Sequence, residues 1–85
     1  MPLDSRPNFE SLRLALVHLR AEKGMSFDEL ERRSGVARSS LIWLEQGRQK
    51  GSLTTWWKIA HGLNVPFGEL VAHLDAPHTD DPAAN

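Results

Sequence analysis

Residues 26–47 read S-F-D-E-L-E-R-R-S-G-V-A-R-S-S-L-I-W-L-E-Q-G, a spacing that predicts two short amphipathic helices meeting at Gly35. Ser26, followed three residues later by Glu29 and then by an apolar periodic stretch, forms a capping box. In it the serine oxygen accepts a first-turn amide and the glutamate reaches back to the serine amide, so a helix starts at Phe27. Gly35 stops that helix, because a residue with a Cβ resists the left-handed backbone needed there. A second helix begins at Arg38. Leu30 faces inward on the first, Val36 plugs the turn, and Leu41 and Leu44 form an i, i+3 apolar pair on the second. The outward face of the second helix then carries Arg38, Ser39, Ile42, Trp43 and Gln46.

Working outward, Asn8 caps a helix from Phe9 to Lys23 whose stripe is Leu12, Leu16 and Leu19 and whose terminator is Gly24. A polar link from Gly47 to Gly51 leads to Ser52, which caps a fourth helix from Leu53 to about Gly62. Leu53, Trp56, Ile59, Ala60 and Leu63 recur there at helical spacing and are expected to close the core. Asn64 suits the C-terminal turn, and a short fifth helix is expected from Phe67 to Leu74. The organisation expected is a flexible arm over 1–7, one domain over 8–74 and a disordered acidic tail over 75–85.

Composition narrows the function classes. A chain of 85 residues with a net charge of −1 reads as a single all-α domain. No sensor domain is expected, and sequences this short often gain stability or function by pairing. Without cysteine there is neither a disulfide framework nor a cysteine-based zinc site. No apolar run reaches bilayer length and no signal-peptide pattern opens the chain, so a cytoplasmic protein without membrane partners is expected. His18, His61, His73 and His78 lack metal-ligand spacing, and no nucleophile turn, glycine-rich phosphate loop or paired acids are present. Neither an enzyme, nor a metal site, nor a cofactor is expected.

Charge is unevenly placed. Between residues 32 and 58 the cations Arg32, Arg33, Arg38, Arg48, Lys50 and Lys58 face Glu45 as the only acid. Asp75, Asp80 and Asp81 sit in the tail, while Asp28 and Glu29 lie in a first helical turn, where they favour the helix dipole. Such a basic segment is what a nucleic-acid binder needs against phosphates.

The order of these pieces resembles the phage-repressor and Cro type of helix-turn-helix, the xenobiotic-response-element family, over roughly Leu12 to Leu74. The matching segments are L-R-A-E-K-G-M-S at 19–26, E-L at 29–30, S-G-V-A-R-S-S-L at 34–41, L-E-Q-G-R at 44–48, and S-L-T-T-W-W-K-I-A-H-G-L-N-V-P-F-G-E-L at 52–70. The resemblance implies a five-helix lambda-repressor-like fold with helix 38–46 in the major groove of double-stranded DNA. It maps base reading onto Arg38, Ser39, Ile42 and Trp43, and it pairs Arg20 with Glu45 as an architectural ion pair.

Arg38 can donate two hydrogen bonds to a guanine edge, or it can serve solubility alone. Ile42 and Trp43 are apolar and outward, fit to meet a thymine methyl or a protein surface, unless Trp43 folds back over the loop after Gly47. Phosphate contacts are expected from the amides near Ser26 and Phe27, from Ser40, and from Arg48 and Lys50. Against the family pattern, Phe27 replaces a glutamine, Ala37 replaces a serine or threonine cap, and Gly51 stands where proline is frequent and is expected to loosen its loop. Trp57, Phe67, Val71 and Leu74 supply surplus apolar surface for a homodimer.

The function expected is therefore a transcriptional regulator that binds a (pseudo)palindromic operator as a homodimer. Phage repressors and restriction–modification controllers are regulators of this type. The alternative is a protein-interaction module, such as an antitoxin that uses DNA only for autoregulation. Ile42, Trp43 and the acidic tail motivate it.

Overall fold

The computed structural model describes residues 6–77. These form five α-helices: α1 (Phe9–Glu22), α2 (Phe27–Ser34), α3 (Arg38–Glu45), α4 (Leu53–Leu63) and α5 (Phe67–Val71), followed by a 3-10 turn over Ala72–Asp75. Residues 1–5 of the expected arm, and 78–85 of the expected tail with His78, Asp80 and Asp81, lie outside the described residues.

Local chemistry sets the helix ends. Asn8, Ser26 and Ser52 each accept the third amide of their helix, from Ser11, Glu29 and Thr55 respectively. Gly35 closes α2 at φ 78° and Asn64 closes α4 at φ 60°, both left-handed. The reciprocal half of the capping box does not form: Glu29 instead meets Arg33 one turn along, at 3.1 Å. The α-helical part of the fifth helix ends at Val71 and only the tighter 3-10 turn continues to Asp75, so the single helix expected to Leu74 is corrected. α1 ends at Glu22, with Lys23 as its C-cap.

Leu12, Leu16, Leu30, Leu41, Leu44, Ile59, Leu63 and Leu70 are fully buried in one cluster drawn from all five helices. Each contributes roughly 1.5–3 kcal/mol relative to exposure. α2 and α4 lie close together at Gly62, where a Cβ would lie 2.8 Å from Ser34 Cβ and 3.0 Å from its amide nitrogen. Trp56, Ile59, Ala60 and Leu63 enter the core as the spacing requires, but Leu53 does not: it is 73% exposed. It lies at the edge of the α4 stripe, on the side of exposed Trp57, and α2 does not cover it.

Gly51 overturns a further expectation. Its φ of +78° is closed to proline, and an added Cβ would lie 2.7 Å from the Trp56 indole nitrogen. That indole N–H donates to the Lys50 carbonyl at 2.7 Å, so the link before α4 is pinned rather than loosened. At the other end Asn8 is a buried polar residue that ties the two ends of the domain together. Its amide donates to the Leu74 carbonyl at 2.9 Å, and its side-chain nitrogen to the carbonyls of Ala76 and Pro77 at 3.1 and 2.9 Å. Asp75, Ala76 and Pro77, read from the sequence as the start of the tail, are therefore attached to α1.

Candidate nucleic-acid interface

α3 is only eight residues long; Leu41 and Leu44 seat it in the core, and side chains of α1 and α2 grip its two ends. At its C-terminal end, Arg20 of α1 donates to both carboxylate oxygens of Glu45, Nε–Oε2 2.5 Å and Nη2–Oε1 3.1 Å. The third guanidinium nitrogen donates to the Met25 carbonyl at 2.9 Å, and the Phe27 ring lies 3.9 Å beneath the guanidinium carbon. The hydrogen bonds to Glu45 raise the Arg20 pKa above its ordinary value, partial burial opposing. Arg13, two turns earlier on α1, donates to the Glu45 main-chain carbonyl at 2.7 Å while paired with Glu10. A cation on a terminal carbonyl is favourable at a helix C-terminus.

The N-terminal end has no cap of its own, because Ala37 offers no side-chain acceptor. Glu31 of α2 replaces it, accepting the Arg38 amide at 3.0 Å. Asp28, also on α2, forms an ion pair with the Arg38 side chain, Nε–Oδ1 3.0 Å. Arg13, Asp28 and Glu31 were not singled out for these contacts in the sequence. Arg13 carried a signal in its i, i+3 spacing from Glu10, whereas the partners across α2 and α3 carried none.

The remaining residues divide as follows. Arg38, Ser39, Gln46 and Arg48 are exposed, and Ser40 and Ile42 are half-buried. Trp43 is 41% exposed, and its carbonyl accepts the Arg48 amide at 2.9 Å, closing the end of α3. Phe27 is half-buried as the platform for Arg20, while the first-turn amides of Phe27 and Asp28 have no acceptor within their own helix. Lys50 is exposed with its ammonium 5.0 Å from the Phe9 ring centre, turned toward α1. Trp57 is 51% exposed and stacks on His61 at 5.0 Å between ring centroids. Phe67 and Leu74 pack partly against the core, and Val71 is half-buried.

A short helix held by its flanks, with an exposed polar and aromatic outer face and cations in the loop behind it, has the form of a groove-reading element. A family profile described as a helix-turn-helix domain matches residues 11–74. The chain belongs to the helix-turn-helix family of DNA-binding transcriptional regulators.

Among relatives of this helix-turn-helix chain, the HTH-type transcriptional regulator SutR of Escherichia coli (strain K12) is 36% identical over 61 residues. That match takes in 72% of this chain and 34% of SutR, so the chain spans about a third of that relative. The HTH-type transcriptional regulator y4dJ of Sinorhizobium fredii is 40% identical over 57 residues, 67% of this chain and 74% of the relative. The crystal structure of the clp gene regulator ClgR from C. glutamicum superposes with a TM-score of 0.68 at 30% identity, covering 78% of this chain and 86% of that one. The restriction–modification controller protein C.Esp1396I shares the fold at TM-score 0.69 and 22% identity, over 82% of this chain and 94% of the controller. Among the described residues no helix is long and apolar enough to cross a membrane.

Proposed function

We propose that this helix-turn-helix chain is a sequence-specific regulator that binds a (pseudo)palindromic operator as a homodimer, with α3 of each protomer in the major groove, and that it works in the cytoplasm, where such DNA lies. The observation that carries this reading is the outer face of α3: Arg38, Ser39 and Trp43 are exposed on a helix fixed at both ends by α1 and α2. Arg38, Ser39, Ile42 and Trp43 read base edges, Arg38 through a guanine and the apolar pair through thymine methyls. Ser40, Arg48, Lys50 and the α2 N-terminus at Ser26 and Phe27 hold phosphates and set the register. One short helix in one groove gives limited affinity, and two-fold symmetry supplies the remainder. The second copy packs against Trp57 of α4 and Phe67, Val71 and Leu74 of the C-terminal segment.

The test is binding to duplexes selected from a random pool. Selected sites contain two half-sites about 10 bp apart or a multiple of that. Arg38→Ala loses about 1 to 3 kcal/mol and relaxes preference at one position per half-site. Arg48→Ala and Lys50→Ala weaken all sequences alike and flatten the salt dependence. An unchanged preference in Arg38→Ala overturns the placement of α3, and a monomer mass in sedimentation, with and without the selected duplex, overturns the dimer.

Trp43 separates this reading from an antitoxin-like interaction module, since its indole is exposed where the core has no use for it. Trp43→Ala is expected to keep the fold while reducing operator binding by at least about 1 kcal/mol. Full operator affinity with lost binding to a co-encoded protein favours the interaction module instead.

A further inference from the structure

Two carboxylates of α2 converge on one residue of α3. Asp28 and Glu31 are three apart and so share a face of α2; Glu31 accepts the Arg38 amide at 3.0 Å and Asp28 meets its side-chain Nε at 3.0 Å. Glu31 has an evident structural task, replacing the cap that Ala37 lacks. Asp28 has less of one. It is highly exposed, Arg38 is more than half exposed, and an ion pair between such groups adds little to stability. On a face turned toward DNA, a carboxylate also works against phosphate binding.

Atom by atom, the contact has a different use. Its closest approach is at Nε, and among the described residues neither terminal amino group of the guanidinium, the pair that bonds end-on to O6 and N7 of guanine, makes a hydrogen bond. A long arginine held by its Nε loses less freedom when it docks. Once water is excluded at the groove, the charge pair strengthens.

We propose that Asp28 is a positioning residue for Arg38: it holds the guanidinium in its guanine-reading pose and, by its own charge, disfavours DNA that offers no guanine there. This rests on the reading of Arg38 as a base-contacting residue.

The test compares dissociation constants on three duplexes: the selected operator, the same operator altered at the base pair where Arg38→Ala loses preference, and an unrelated sequence. Asp28→Asn is expected to lower discrimination between the first two by about two- to fivefold per half-site, the range in which one exposed ion pair acts. Affinity for the unrelated duplex rises, and the melting temperature stays near that of the parent. Asp28→Glu, which keeps the charge and the helix-dipole interaction, restores part of the discrimination. In an Arg38→Ala background, Asp28→Asn changes the ratio no further. If Asp28→Asn leaves discrimination intact while Arg38→Ala abolishes it, the positioning role is overturned and the proposed function stands. Equal weakening on all three duplexes with a lowered melting temperature also overturns it, as a purely structural role. If Arg38→Ala itself leaves the preference intact, both readings fall together.

Discussion

Arg20 joins three parts of the molecule through one planar group: the end of α3, the carbonyl of Met25 and the ring of Phe27. Only a guanidinium can span both oxygens of Glu45 and still donate a third time. The Glu45 side chain is 10% exposed, so removing Arg20 leaves a carboxylate largely out of water. Arg20→Ala is therefore expected to cost about 2 to 3 kcal/mol in urea unfolding, less than a fully buried pair because Arg20 itself remains partly solvated. Arg20→Lys should recover only part of that, since an ammonium is a point donor.

Glu10 supplies a pH dependence of known sign. The Arg13 guanidinium beside it holds its carboxyl below the usual glutamate value. A carboxyl whose pKa is lowered on folding favours the folded state above its unfolded value and loses that contribution as pH falls through the lowered one. The melting temperatures of the parent and Glu10→Gln should differ slightly near neutral pH and converge as the pH falls through the lowered carboxyl value. The effect is small because Glu10 is 63% exposed.

At the scale of elements, the contact between α2 and α4 depends on a missing side chain. In open helix, Gly→Ala stabilises by roughly 0.5–1 kcal/mol. At Gly62 the added methyl meets the Ser34 backbone and Cβ, which cannot swing aside as a flexible tip would, and overpacking of this kind costs about 1–3 kcal/mol. The second effect wins, so Gly62→Ala is expected to lower the denaturant midpoint. Gly68, in α5, has nothing within 4 Å of its notional Cβ, and Gly68→Ala should raise the midpoint slightly. If Gly62→Ala raised it too, α2 and α4 would not pack as closely as described.

Across the whole molecule, Asn8 joins the start of α1 to the chain beyond the 3-10 turn, making hydrogen bonds over 68 and 69 residues of sequence. Asn8→Ala removes a helix cap and the donor to two carbonyls, for a loss of about 2 kcal/mol. Asn8→Ser keeps a capping oxygen but loses those carbonyl ties, and is expected to cost about half as much. Hydrogen exchange over 72–77 should accelerate in both variants. Protection unchanged in Asn8→Ser would show that other contacts hold this segment.

What the sequence determined by itself were the helices, their order and most of their ends. Ser26, Gly35, Ser52 and Asn64 act on amides and dihedrals within a turn of themselves, so their chemistry is written in adjacent letters. Most core positions were legible for the same reason, periodicity being local. Leu53 shows the limit: its spacing matches the stripe, but whether anything covers the helix edge depends on the placement of α2 and of the preceding link. Gly51 reads as a flexible loop residue until Trp56 is seen to occupy the space a Cβ would take. The Arg20–Glu45 pair was accessible only through family resemblance, since the two residues lie 25 positions apart. The contacts of Asp28 and Glu31 with Arg38, and of Asn8 with Ala76 and Pro77, were decided by tertiary structure alone. Side-chain pairing across helices depends on the distance and angle between their axes, and these are set by packing the whole core, not by any short run of residues.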